Sequence, residues 1–311
     1  AKKVGDISRQ SWFLVDLADT YLWMGQLDKA ITLGEEALAL DRKVGSIAYT
    51  PGMLTTLGSA YQVIGDWSKS EQYYDEAMSI SRKLTDLFPA ALSHFAYGLL
   101  YFDKEEYSKA RESLEKAYKM VEKAGNRWTP VWYSQFLIWT YIELDEIEKA
   151  QNLLEILRKF ALETEDKTLN ANEMALRAML FRVEKKYTES IELFEKTLKE
   201  WESIKASIGN AYFFARWVLN EYARVYLERD QEGDKERALS LLNQALEMFQ
   251  KMGAKKDIEK VEARIAFIET GKVVSKPKPI DHVSTGIADL DKLLYGGIPP
   301  NYAVVLTSPS C

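Results

Sequence analysis

The chain repeats at a fixed interval. Ala18, Tyr21, Gly25, Ala30 and Ala37 return forty residues later as Gly58, Tyr61, Gly65, Ser70 and Ala77, and once more as Gly98, Tyr101, Ala110 and Ala117. A period of this length belongs to stacked architectures, because one unit cannot bury its apolar face alone and must hand it to the next. That constraint overrides the two-domain expectation that 311 residues would otherwise carry.

Inside a unit, apolar residues recur at three- and four-residue spacing, which puts them on one helical face. Leu14, Leu17, Ala18 and Tyr21 form that face on a first helix; Ala30, Leu33, Ala37 and Leu40 form it on a second. Small residues let the helix backbones approach, and large ones fill around them. Thr50-Pro51 and Thr129-Pro130 read as helix starts, with Thr as N-cap and Pro in the first turn. Gly25 and Gly65 sit where a turn needs positive φ, yet later units put Glu105, Asp145 and Lys185 there. The spacing predicts six hairpins starting near residues 11, 51, 91, 131, 171 and 216, with a capping helix over 255–269. The last hairpin has a longer turn through 230–235. The stretch at 2–6 parallels 42–46, which predicts that residues 1–10 are the tail of a preceding repeat.

A net charge of -6 argues against a general nucleic-acid footprint on the solenoid. The single cysteine, Cys311, excludes an intrachain disulfide framework and suits a reducing compartment, so a cytoplasmic protein is expected. There is no apolar run long enough to span a membrane. The two histidines, His94 and His282, lie far apart, so neither a metal site nor a cofactor is expected.

These units resemble tetratricopeptide repeats in a longer, 40-residue form, and the resemblance covers residues 1 to about 270. It implies a right-handed superhelix that displays a preformed surface to a protein partner. The family's carboxylate-gripping pocket is not expected, because the equivalent positions hold Val15 and Asp19, then Thr55 and Ser59. Residues 271–281 read as a linker, with prolines alternating with lysines. Residues 282–311 resemble the opening of a RecA-like ATPase domain of the KaiC and RadA kind. Ser284-Thr285-Gly286, Leu290-Asp291, Gly296-Gly297-Ile298-Pro299 and a strand at Val304–Leu306 carry that resemblance. No glycine-rich phosphate loop follows, so no nucleotide-binding residue is assigned and no enzyme activity is expected within the chain.

The first helix of each unit lines the concave face. On that register Trp12, Trp23, Phe95, Phe102, Trp132, Trp139 and Trp217 point into it, with Arg182 and Arg224. Aromatics with arginine are the residue types that dominate binding hot spots. One reading makes this face a groove for a partner protein or peptide, for the C-terminal tail, or for a downstream domain. The other buries the same rings between neighbouring helices. The expected function is a protein-interaction scaffold; the alternative is a regulatory arm that gates a RecA-like ATPase domain. Apolar solenoid ends leave oligomers open.

Overall fold

The computed structural model describes residues 2–45, 47, 49–125, 127–205 and 211–271, and among them every regular element is helical. Five hairpins come first: α1 (Lys2–Trp23) with α2 (Leu27–Val44), α3 (Thr50–Ile64) with α4 (Trp67–Ser81), α5 (Leu87–Asp103) with α6 (Tyr107–Lys123), α7 (Trp128–Glu143) with α8 (Ile147–Thr164), and α9 (Lys167–Val183) with α10 (Tyr187–Lys205). The sixth pairs α11, residues 211–229, with α12 (Asp234–Met252). Within α11 the segment Phe214–Leu219 is π-helical and continuous with the α-helical turns on both sides. The last helix is α13 (Lys255–Thr270). The solenoid body is Ala1–Ile265. Of the second unit, Ala266–Cys311, the described part ends at Gly271, so the linker and the ATPase-like segment lie outside the described residues.

The small residues of the repeat are the closest helix contacts. Ala18, Ala30, Ala37, Ala77, Ala110, Ala117, Ala150, Ala178, Ala238 and Ala245 are all fully buried. A Cβ at Gly58 would stand 2.3 Å from Tyr74 Cε1, and one at Gly98 would stand 2.5 Å from Leu114 Cγ.

The turns inside the first five hairpins are closed the same way. The N–H groups of Gln26, Asp66, Glu106, Glu146 and Lys186 donate to the carbonyls of Tyr21, Tyr61, Tyr101, Tyr141 and Phe181 at 2.8–2.9 Å. This is the long-range bond of a Schellman turn, which needs a left-handed residue between. Gly25 and Gly65 supply it at φ 73° and 93°; Glu105, Asp145 and Lys185 adopt it too, at 63°, 58° and 61°. A second repeated device sits beside it: Lys29, Lys69, Lys109 and Lys149 each place an ammonium over the preceding Tyr21, Tyr61, Tyr101 and Tyr141 rings.

Thr50 and Thr129 lie inside their helices, whose N-caps are Tyr49 and Arg127. The Thr50 hydroxyl instead donates to Asp41 Oδ2 at 2.7 Å. Aspartates make the side-chain caps: Asp66, Asp86 and Asp166 accept from Lys69, Phe88 and Leu169 N–H at 2.8–3.0 Å. Residues 2–10 are the first turns of α1 itself. α13 does not simply cover the last hairpin. It passes the turns of the second and third: Lys256 Cγ would lie 3.0 Å from a Cβ at Gly65, and Lys260 donates to the Asp103 carbonyl at 2.9 Å and pairs with Glu105 at 3.1 Å.

Candidate functional site

α1, α3, α5 and α7 line the concave face, and α11 enters it. Phe213 stacks on Trp23 at 4.8 Å and meets Trp132 and Phe136 edge-on at 6.2 and 5.7 Å. One turn on, Trp217 packs against Phe136 and Trp139 at 5.1 and 5.6 Å, and Trp139 against Phe102 at 4.5 Å. Such edge-to-face clusters add to the burial of their own area.

Much of the expected groove is therefore core. Phe95, Phe102, Trp139 and Trp217 are between 2% and 9% exposed. Phe95 packs on Tyr133 and Phe136 of α7; for Phe102 and Trp139 the cover is the sixth hairpin of the same chain, which brings Arg216 and Trp217 to the lower part of the face. Trp12 is exposed, packs on Phe13 and lines none of the concave space. Arg182 and Arg224 are committed to the chain's own acids. Arg182 bonds Glu228 and lies 3.8 Å from Glu221; Arg224 bonds Glu143 at 2.6 Å and Glu221 at 3.0 Å. Of the expected set, Trp23, Phe95 and Trp132 line the open cleft, while Phe102, Trp139 and Arg224 line smaller spaces beside α11.

A buried polar chain locks α11 in place. Arg216, on the π-helical segment, pairs with Asp103 and lies 3.9 Å from Asp257 on α13. Gln62 donates to the other oxygen of Asp103 at 2.6 Å and accepts from Tyr74 at 2.8 Å. The Tyr212 hydroxyl donates to Asp257 at 3.0 Å and accepts from Arg216 at 3.0 Å. Burial pushes the Asp257 carboxyl above its ordinary value, against the pull of Arg216. Sequence reasoning missed this lock. Its signal is Arg216 inside the apolar run AYFFARWVLN, since a buried cation requires a buried acid.

Above α11 the face stays open as a cleft of about 470 Å³. Asp19 and Trp23 come to it from α1, Thr55, Thr56 and Ser59 from α3, Phe88 and Phe95 from α5, Trp128, Trp132 and Tyr133 from α7. Phe88 and Trp128 stand exposed at the mouth, 44% and 52%. Among the described residues, Asp19 is the only charged side chain in the lining. Thr56 donates to its Oδ1 at 2.6 Å, and no described residue bonds Oδ2. Burial, and then Asp16 one turn back, push the Asp19 carboxyl up to about 6, while the Thr56 bond pulls the other way. The Tyr133 hydroxyl is buried with no partner among the described residues.

Hairpin geometry, turn chemistry and small-residue positions together point to one repeat type. Residues 49–123 match the tetratricopeptide-repeat family model. That stretch is the second and third hairpins, α3 through α6. Tetratricopeptide-like solenoids of solved structure share the wider fold. The apo form of RapI superposes with a TM-score of 0.60 at 18% identity, covering 81% of this chain and 85% of that one. A Rap protein complexed with Competence and Sporulation Factor gives 0.56 at 14% identity, covering 84% and 75%. At these identities the likeness is one of fold. No curated protein matches the chain. Among the described residues no helix is long and apolar enough to cross a membrane.

Proposed function

We propose that this solenoid is a non-enzymatic protein-interaction scaffold that binds a peptide segment of a partner in the cleft between α1, α3, α5 and α7. The observation that carries the reading is the open cleft itself. It is preformed, rimmed by the exposed rings of Phe88 and Trp128, and walled by Trp23 and Trp132. Preformed walls lower the ordering cost of binding, and aromatic anchors in a pocket supply most of the energy of such contacts. A Rap protein of similar fold has been seen in complex with another molecule, the Competence and Sporulation Factor, which makes a ligand-holding role natural for this architecture.

The test is direct. Pools of synthetic pentapeptides are titrated against the chain and followed by tryptophan emission. Trp132→Ala should weaken binding about tenfold or more, as expected for an aromatic hot spot. Equal binding by the wild type and Trp132→Ala would move the partner elsewhere. Deleting 272–311 separates a partner in trans from the chain's own tail: a red shift and freer quencher access on deletion would make the tail the occupant.

A second reading rests on the sequence of residues 282–311 and its likeness to the opening of a KaiC- or RadA-type domain. There the solenoid, a 40-residue form of the repeat, would gate nucleotide turnover by the domain that follows. Turnover that changes when the cleft is filled would support it.

A further inference from the structure

The charge in the cleft is of one sign. From α1 come Asp19 and, just behind it, Asp16; α3 offers the hydroxyls of Thr55, Thr56 and Ser59. α5 offers apolar side chains alone, and α7 offers Thr129, Trp132 and Tyr133. No lysine or arginine stands in the lining. Among the described residues no protein cation sits over the Trp23 or Trp132 ring. This contrasts with the lower part of the face, where among the described residues Arg216 is answered by Asp103, Arg224 by Glu143 and Glu221, and Arg264 by the Asn220 side-chain oxygen.

We infer that the cleft takes a peptide segment presenting one positive charge beside apolar residues, with Asp19 Oδ2 receiving the cation. The inference rests on the peptide-scaffold reading above and adds the chemistry of the partner. Three observations converge on it. Asp19 has one oxygen held by Thr56 and the other unclaimed, so the carboxylate is aimed and half-satisfied. Trp23 follows Asp19 by four residues, one helical turn along the same face, so a cation on Asp19 has an aromatic face within reach. Much of the rest of the wall is apolar and suits the flanking residues, with Phe95, Leu99 and Trp132 in its lining. An acidic segment would instead bury its charge against Asp19 with no cation to offset it, which is strongly unfavourable. A cation also favours the charged form of Asp19, so binding should release a proton and tighten as pH rises through about 6.

The probes are acetylated, amidated pentapeptide pools with one position fixed as Lys, Gln or Glu, and a fourth pool with a free α-amine. They are titrated against the full chain, Asp19→Asn and Trp132→Ala. Asp19→Asn removes a desolvated charge, so it should fold at least as well as the wild type. The expected result is that the Lys pool binds the wild type about tenfold tighter than the Gln pool, as for a charge-assisted bond, and that Asp19→Asn erases the difference. A free-amine pool that equals the Lys pool would make the peptide N-terminus the source of the charge; a Lys pool that stands alone would make it a side chain. If the Gln or Glu pool binds as tightly as the Lys pool while Trp132→Ala still weakens binding, the cleft is the site and the inference about charge is overturned. If no binding depends on Trp132, the scaffold reading falls and takes the inference with it.

Discussion

Asp19 shows how one residue can trade stability for readiness. Its folded carboxyl stands at about 6, above the ordinary 3.8, chiefly because burial disfavours the charged form. Between those values the folded chain holds a proton that the unfolded chain has released. Stability therefore falls as pH rises through this window and stays lower at neutral pH, by about 2 kcal/mol. Urea midpoints for the wild type should drop from pH 4 to pH 7 relative to Asp19→Asn, which should be the more stable protein at neutral pH. A midpoint for Asp19→Asn at or below the wild type at pH 7 would contradict this. Single residues also mark the limit of what the sequence discloses. Asp19, Thr55 and Ser59 were legible only as residues unable to grip a carboxylate, whereas the structure places them in the lining of the cleft. For Phe102, Trp139 and Trp217 the choice between groove and core stayed open, because periodicity fixes which face a ring points from and says nothing of what arrives opposite it; in the structure they are buried.

At the level of the helical element, the turn between helices is set by backbone geometry more than by glycine. Lys185 is exposed and held at φ 61°, the left-handed region, where a side chain is penalised. Lys185→Gly should relieve that and stabilise the protein by about 0.5–1 kcal/mol, read as a raised melting temperature. A fall would mean that unfolded-state entropy outweighs the relief. Hairpin number, phase and turn position were all legible, since Ala18, Gly25, Ala30 and their equivalents recur in register. The helix starts were not. Thr50 looks like a cap by composition, but its hydroxyl is spent on Asp41 across a hairpin boundary, and Asp66, Asp86 and Asp166 do the capping.

At the scale of the solenoid body, the array departs from an ideal repeat by folding its later hairpins back onto its earlier ones. In an open array each unit meets only its neighbours. Here Arg216 reaches Asp103 across 113 residues and Lys260 reaches the same residue across 157. No local pattern encodes this, because curvature accumulates unit by unit and the sixth hairpin starts 45 residues after the fifth instead of 40. Arg216→Ala would strand the buried Asp103 and Asp257 carboxylates, at a cost of about 3–5 kcal/mol. Trp217 and Trp139 should then become accessible to quencher before global unfolding. Unchanged quenching and a loss under 1 kcal/mol would show the lock to be dispensable.

The insertion of α11 against α1, α5 and α7 also has a consequence in time. A ribosome makes the first four hairpins long before it makes Phe213 and Trp217. During synthesis Trp23, Trp132, Phe136 and Trp139 have secondary structure to sit on and nothing to cover them. The nascent chain is thus sticky for a definite interval, which ends when its own sixth hairpin arrives. Contacts of such long sequence separation slow folding, so release of the finished chain, more than growth of the early repeats, is when the aromatic axis first becomes dry.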